Sequence, residues 1–349
     1  MKPDIFVLYT GGTIGMTRGA DGLAPDTALA GKALQPFADR FSFHWHICDP
    51  LIDSSAVTLQ NWGDWLGIIA EKVGSYDGFL VLHGTDTMAY TANLFALALP
   101  KLGKPVVLTG SQWPYDAPDS DAPLNLATAA AAFSLGLRET VIAFNGKLFP
   151  AVGSSKASTE TADGFANRHF GAIGTWSAQQ GWRNVVQRPS ENVAEGKGGN
   201  TGVSETLSRQ DADENGRLNL DASVRVVCRT LTPGFAAQDV SDGLKHTAAQ
   251  ALILQSYGHG NAPSDPEFIQ SVQDFTERGG LVLNISQVPC GRAAAVYAQG
   301  SALRQAGVVG GGKCNLETAT ALLTLAVSNG WNAARLETEL LRLGLVEAV

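Results

Sequence analysis

Thr10-Gly11-Gly12-Thr13 follows the apolar run at 5–9, and Gly84-Thr85-Asp86-Thr87 follows the apolar run at 79–82. Each motif therefore comes directly after a predicted buried strand. In a parallel α/β sheet, ligands bind in the crevice at the carboxyl ends of the strands, so both motifs are expected to face one crevice. A threonine on a glycine-rich turn leaves room for a substrate carbonyl to approach its hydroxyl. The pattern favours amide hydrolysis by a threonine nucleophile.

The first half of the chain alternates short apolar runs with segments at helical spacing, which is typical of consecutive βαβ units. The predicted strands are 5–9, 78–82, 105–108 and 141–144, and the predicted helices are 58–73, 89–99 and 124–135. Units of this kind give a mostly parallel sheet with right-handed crossovers and helices on both faces.

The composition changes between about residues 189 and 222, where the chain is polar and rich in glycine. Beyond this segment the α/β alternation resumes, with predicted strands at 251–254 and 281–285 and predicted helices at 266–278 and 316–327. We therefore predict a larger N-terminal catalytic α/β domain at 1–190, a linker with a polar insertion at 191–222, and a smaller C-terminal α/β domain at 223–349.

Composition excludes several classes of function. The chain has 349 residues, 44% of them hydrophobic, and a net charge of -8. It shows no basic patch for nucleic acid or for an anionic membrane, and no uninterrupted apolar run long enough to span a bilayer. Its four cysteines stand singly, in neither a disulfide framework nor a CxxC metal pattern. We predict reduced thiols in a cytoplasmic protein without a leader peptide.

Each of the two threonine motifs also has a simpler interpretation. The first is consistent with a tight exit from a strand, and its glycines fall as GGxxG, which disfavours a Rossmann nucleotide site with GxGxxG spacing. In the second, Asp86 or Thr87 is an acceptable N-cap for the helix that follows.

Two further segments carry chemically suitable side chains. Lys156 stands among small residues on a predicted loop after the fourth strand, where burial would lower its pKa; the alternative is an exposed surface lysine. Asp53-Ser54-Ser55 offers a carboxylate and two hydroxyls to a zwitterionic ligand. The same tripeptide also suits an ordinary turn, or a helix start capped by Ser54 or Ser55.

These motifs together resemble the L-asparaginase family, specifically its bacterial cytoplasmic type I branch. The resemblance runs in order from about residue 5 to 327 and weakens between about 167 and 222. It is carried by the segments 9–16, 53–55, 83–91, 109–112 and 256–263.

The resemblance implies a two-domain L-asparaginase-like fold and hydrolysis of L-asparagine to L-aspartate and ammonia, with no metal or organic cofactor. Thr13 would be the nucleophile that forms an acyl-enzyme. Thr85, Asp86 and Lys156 would form a second hydroxyl–carboxylate–amine set.

The resemblance also assigns the substrate contacts. Asp86 would receive the α-amino group beside Gly84, and Ser54, flanked by Asp53 and Ser55, would hold the α-carboxylate. Asn261 would reach toward the substrate from the neighbouring subunit, so a homodimer or homotetramer is expected.

One position departs from the family pattern. Many members place a tyrosine on the segment after the first motif, and the matching residue here is Leu23, which cannot relay a proton. Tyr297 matches a tyrosine of the C-terminal domain that serves instead in some relatives. Its alternative role is half-buried packing.

Three other functions remain open at this stage. A glutaminase-asparaginase differs by one methylene of substrate, which is worth only about 1–3 kcal/mol in pocket discrimination. A catalytically weak or silent amino-acid sensor would keep the pocket without turnover. The amide-hydrolysing subunit of a tRNA-dependent amidotransferase resembles a chain with an extra N-terminal domain, and we expect this protein to be without one.

Overall fold

The computed structural model describes residues 1–19, 22–25, 32–186, 212–213, 217–294 and 298–347. These form two compact units, Met1–Arg217 and Leu218–Val349. Most of the predicted linker, 191–222, lies outside the described residues.

The N-terminal unit is built on an eight-stranded sheet with the order β12-β11-β8-β7-β6-β5-β1-β4. Its strands and those of two small hairpins are β1 Asp4–Tyr9, β2 Met16–Gly19, β3 Gly22–Pro25, β4 Ser42–Ile47, β5 Gly78–Leu82, β6 Val106–Thr109, β7 Thr140–Phe144, β8 Lys147–Pro150, β9 Ser154–Lys156, β10 Phe165–Asn167, β11 Gly174–Ser177 and β12 Gly181–Arg183. The strands from β4 to β7 pair in parallel, and β8, β11 and β12 add antiparallel pairs at one edge. The predicted mostly parallel sheet is confirmed.

The helices of this unit are α1 Leu59–Lys72, α2 Met88–Ala98 and α3 Ala122–Ala132. The α1 helix begins with a capping box, in which the side chains of Thr58 and Asn61 each accept from the other's backbone N–H. The α2 helix is apolar on nearly all sides and is buried along most of its length. The helix thus fixes the loop that precedes it, which contains Thr85 and Asp86.

Four strands of the large sheet, β4, β8, β11 and β12, are absent from the sequence-based prediction. β4 runs parallel to β1 at the edge of the sheet. Its residues are half-buried or exposed, because an edge strand covers the core with one face only. The continuous apolar run that identified the central strands does not occur here.

The C-terminal unit contains a parallel four-stranded sheet with the order β13-β14-β15-β16. Its elements are β13 Val226–Thr230, α4 Ala236–His246, β14 Ala251–Ser256, α5 Pro266–Glu277, β15 Leu281–Ser286, α6 Ala298–Gln305, β16 Val309–Gly310, α7 Leu316–Ser328 and α8 Ala333–Arg342. A core of leucine, valine and phenylalanine side chains, among them Phe268 and Phe275, packs between α5 and the sheet. The predicted second α/β domain is therefore present.

No helix in the described part of the chain is long and apolar enough to cross a membrane.

Candidate active site

The two threonine motifs lie against each other at the carboxyl ends of β1 and β5, which are neighbours in the sheet. Gly12 has a positive φ of 98°, and a Cβ added to it would lie 2.5 Å from the nitrogen of Gly84. Only glycine fits so close an approach. Thr13 follows directly and begins a single 3₁₀ turn.

The second motif is joined to Lys156. The Nζ atom of Lys156 lies 2.9 Å from Oγ1 of Thr85 and 2.6 Å from Oδ1 of Asp86. The Lys156 side chain is 17% exposed and that of Asp86 is 60% exposed, so the ion pair has one buried and one open end. Thr85 itself is buried.

Lys156 lies at the end of the short strand β9 and not on a loop as predicted. The pairing of β9 with β10 places Lys156 opposite Phe165. The buried amide of Asn93 in α2 donates to the carbonyl of Ser154 in β9 at 3.3 Å. This bond ties the strand of Lys156 to the helix that follows Thr85 and Asp86. Asn93 was not singled out from the sequence, although an asparagine inside an apolar helix indicates a buried polar contact.

The second motif provides the N-cap position of α2, as its simpler interpretation expects, but no side-chain cap. Thr87 is the N-cap residue of α2 but makes no side-chain cap hydrogen bond. Its hydroxyl instead donates to the carbonyl of Ser54 at 2.7 Å. A Cβ added to Gly84 would lie 2.6 Å from Oγ of Ser54. Ser54 is therefore brought to the same place as the threonine motifs.

Asp53 caps its own turn. Its carboxylate accepts from the backbone N–H and the hydroxyl of Ser55, each at 2.9 Å. These bonds hold the pKa of the Asp53 carboxyl below its usual value. The expected cap by Ser54 or Ser55 is thus replaced by one from Asp53. Asp53 and Ser55 are exposed, whereas Ser54 is buried.

Several donors beside these threonines have no partner in the described part of the chain. They are the backbone N–H groups of Gly12, Thr13 and Thr85. The half-buried hydroxyl of Thr13 is likewise without a protein partner among the residues described. Backbone N–H groups at a turn are suited to binding a negatively charged oxygen. The arrangement offers a hydroxyl, an amine-linked second hydroxyl and free N–H donors in one crevice.

His83 is the buried titratable group next to this crevice, and sequence reasoning gave it no role. Burial lowers its pKa from 6.5 to about 4, so its imidazole is neutral at pH 7. Its position directly after an apolar strand was the feature of the sequence that could have indicated a buried histidine at the crevice.

No cluster of His, Cys, Asp and Glu that could hold a metal ion occurs among the described residues.

The remaining predicted site residues belong to the C-terminal unit or lie in undescribed parts. Asn261 closes a tight turn after β14, where its N–H donates to the carbonyl of Tyr257 at 2.8 Å. Tyr257, in return, donates its own N–H to the carbonyl of Asn261 at 2.9 Å. Tyr297 lies outside the described residues. The backbone of Leu23 is part of β3. The C-terminal unit also contains a cavity of about 480 Å³, and no predicted site residue lines it.

Comparison with known proteins identifies two family models that match in order along the chain. Residues 4–189 match the model described as asparaginase, N-terminal, and residues 225–339 match the glutaminase/asparaginase C-terminal domain. Both matched ranges fall within the two predicted domains.

Individual relatives agree with these matches. L-asparaginase 1 of Escherichia coli K12 is 33% identical, with 98% of this chain and 95% of that protein covered. The crystal structure of L-asparaginase I from Vibrio cholerae is 30% identical, covers 97% of each chain and has a TM-score of 0.78. The human 60 kDa lysophospholipase is 29% identical over 97% of this chain, which spans 60% of that protein.

Proposed function

The chain belongs to the asparaginase family, and from this premise we propose that it hydrolyses L-asparagine to L-aspartate and ammonia through a threonine nucleophile. The family supports an amidohydrolase, and the proposal adds the substrate and the roles of individual residues.

In the first half of the proposed reaction, Oγ1 of Thr13 attacks the carbonyl carbon of the side-chain amide. The carbonyl oxygen becomes an oxyanion, which the unpartnered N–H groups of the two turns are suited to stabilise. The C–N bond then breaks, ammonia leaves with the proton taken from the threonine, and an ester remains on Thr13. In the second half, water attacks that ester, which releases aspartate and restores the hydroxyl.

The contact with Lys156 determines the hydrogen-bonding role of the Thr85 hydroxyl. A lysine ammonium has only donors, so Oγ1 of Thr85 must accept from Nζ of Lys156. The proton of that hydroxyl is then available to an acceptor in the crevice. It therefore suits the oxyanion of the intermediate, or the water that attacks the ester.

We assign the substrate's charged ends to other groups of the same crevice. The exposed end of Asp86 suits the α-ammonium group, and the buried hydroxyl of Ser54 beside Gly84 suits the α-carboxylate. Asp53 and Ser55 would support this end through their shared turn. Because the ends are held by fixed groups, the length of the substrate side chain determines whether the amide reaches Thr13.

A proton acceptor for Thr13 completes the proposal. We assign this role to Tyr297, because a threonine hydroxyl is a weak nucleophile without a base. Asn261 is assigned to the active site of a neighbouring subunit, which makes the functional unit a homodimer or homotetramer. The cytoplasmic location expected from the sequence stays a prediction.

The observation that carries the proposal is the joint contact of Lys156 with Thr85 and Asp86, beside the glycine turn that presents Thr13. An ordinary surface lysine would not be anchored by two side chains about 70 residues away.

The test is ammonia release from L-Asn, L-Gln, D-Asn and Asn-containing dipeptides, measured for the wild type, Thr13→Ala and Thr338→Ala. Thr338 is a control threonine in α8 whose hydroxyl donates to the carbonyl of Ala334. We expect L-Asn to be the best substrate, Thr13→Ala to lose on the order of 10³-fold or more in kcat, and Thr338→Ala to match the wild type.

Each other outcome has a definite meaning. Release from L-Gln at a similar kcat/KM would make the protein a glutaminase-asparaginase. Binding of L-Asn without release of ammonia would make it an amino-acid sensor. Full activity of Thr13→Ala with an unchanged melting curve would remove Thr13 as the nucleophile.

A further inference from the structure

A chain of hydrogen bonds runs from α1 to the turn that contains Thr85. Trp62 Nε1 lies 2.9 Å from Thr91 Oγ1, which lies 2.9 Å from His83 Nε2. His83 Nδ1 lies 2.7 Å from the carbonyl oxygen of Gly84. All three side chains are buried.

The chemistry of the two ends fixes every donor in this chain. An indole N–H only donates and a carbonyl oxygen only accepts. Thr91 therefore accepts from Trp62 and gives its own proton to Nε2 of His83. The imidazole then carries its single proton on Nδ1 and donates it to Gly84. Its low pKa agrees with this neutral form.

The bond to Gly84 also orients the next N–H group. The Gly84–Thr85 peptide is trans, because the cis bond among the described residues is at Asp49-Pro50. In a planar trans peptide, the C=O and N–H groups point in opposite directions. Since the Gly84 carbonyl points to the imidazole, the Thr85 N–H points away from it. That N–H has no partner among the residues described.

We propose that His83 is a positioning residue of the hydrolytic reaction, which holds the Gly84 carbonyl so that the Thr85 N–H faces the substrate oxyanion. The inference rests on the proposed function. Gly84 has no side chain to limit rotation of this peptide. If the peptide turned over, a carbonyl oxygen would face the oxyanion and repel it.

Two substitutions test the two ring nitrogens of His83 separately. His83→Asn keeps an N–H donor near the position of Nδ1, and His83→Gln keeps an acceptor near the position of Nε2. We expect His83→Gln to lose about 10²–10³-fold in kcat, as for removal of one oxyanion donor, with KM within a few-fold of wild type. His83→Asn should stay within about tenfold of wild type in kcat, because the bond to Gly84 is retained.

The same pair of substitutions at His44 is the control. His44 lies on the edge strand β4, is about half exposed and pairs with Asp4 at 2.9 Å. Both His44 variants should keep wild-type kcat and KM. ¹⁵N spectra of the histidine side chains provide a second readout, in which the signal lost in His83→Asn should be that of a neutral imidazole protonated on Nδ1.

Equal kcat in the two His83 variants, or a proton on Nε2 of His83, would overturn the inference while leaving the proposed function standing. No ammonia release from any amide by the wild type would overturn both. If neither His83 variant folds, Thr91→Val keeps the imidazole and removes one of the two groups that fix its tautomer, the other being the Gly84 carbonyl. Reduced kcat with unchanged KM would then support the inference, and an unchanged kcat would overturn it.

Discussion

A single lysine, Lys156, links two other predicted site residues. Lys156 donates to Thr85 and to Asp86, so its loss would free the Thr85 oxygen and leave the carboxylate without its cation. Asp86 is mostly exposed, which means that solvent screens much of the ion pair and little stability depends on it. The consequence of losing the amine should therefore appear in turnover more than in folding.

We predict that Lys156→Met lowers kcat by about 10²-fold or more, with a melting temperature close to that of the wild type. Lys147→Met is the matched control, because Lys147 also lies 2.6 Å from a carboxylate, that of Asp163. Steady-state kinetics and thermal melts of both variants decide the matter. If Lys156→Met kept the kcat and the pH–rate profile of the wild type, Lys156 would have no part in the reaction.

A second prediction concerns the base for Thr13. Tyr297→Phe removes one oxygen and keeps the ring, so a catalytic phenol predicts a fall in kcat of about 10²–10⁴-fold. Packing alone predicts almost no kinetic change. Tyr76→Phe is the control, since Tyr76 packs its ring against Phe6 and His44. Turnover by Tyr297→Phe within a few-fold of wild type would contradict the assignment.

The buried imidazole of His83 predicts a pH dependence of stability. Its pKa is about 4 in the folded protein and 6.5 when exposed, so the unfolded state takes up a proton first as pH falls. Its contribution is complete above pH 6.5 and is lost progressively between about pH 6.5 and pH 4. At pH 5 the loss amounts to about 2 kcal/mol. Denaturant unfolding at pH 7 and pH 5 should show this loss in the wild type and a smaller one in His83→Asn; equal losses would contradict it.

The site depends on close contact between the turns that follow neighbouring strands. The glycines of the two threonine motifs let β1 and β5 end side by side, and the hydroxyl of Thr87 fastens the Ser54 turn to them. These contacts are made by backbone atoms, which explains why the motifs are rich in glycine. A side chain at Gly12 would separate the turns.

We predict that Gly12→Ala destabilises the protein by several kcal/mol or abolishes activity in the folded fraction, because it combines a positive φ with a backbone clash. Gly74→Ala is the control, since a Cβ at Gly74 meets nothing within 4 Å. Denaturant unfolding and ammonia release should separate the two variants clearly. Equal stability and activity of both would show that the turns are not in the close contact described.

The sequence predicts some elements better than others for a physical reason. The strands from Gly78 to Leu82 and from Leu281 to Ser286 are buried on both faces, and their continuous apolar runs predict them well. β4, with exposed positions at His44 and His46, lacks that signal. The three-residue strand containing Lys156 is defined by its partner β10, which no local pattern predicts.

The site residues likewise differ in how well the sequence predicts them. Thr13 and Thr85 are recognisable because they follow buried strands, and this position alone indicates the crevice. Lys156 was a candidate from its small neighbours, but its partners and the role of Asn261 came from the family resemblance, because their places depend on how distant segments fold together. The role of His83 depends on contacts with α1 and α2 and could not be predicted from its motif.

The proposed reaction assigns roles to residues of both units. Thr13 and Lys156 belong to Met1–Arg217, whereas Asn261 and Tyr297 belong to Leu218–Val349. The turn of Asn261 is held rigidly, because buried Asn284 accepts from Ser256 at 2.6 Å and donates to the carbonyl of Gly260 at 2.8 Å. A rigid turn of this kind can present a side chain to a neighbouring subunit.

If Asn261 completes the site of its neighbour, two inactive subunits should complement each other. A hybrid dimer of one Thr13→Ala subunit and one Asn261→Ala subunit then contains one site with both changes and one site with neither. We predict that this hybrid, co-expressed with two tags and isolated by both, has about half the kcat of the wild-type dimer, while each parent homodimer is strongly impaired. If each subunit instead builds its site from its own residues, every site in the hybrid carries one change, and its activity equals the mean of the two parents. An Asn261→Ala parent as active as the wild type would exclude Asn261 from the site in either arrangement.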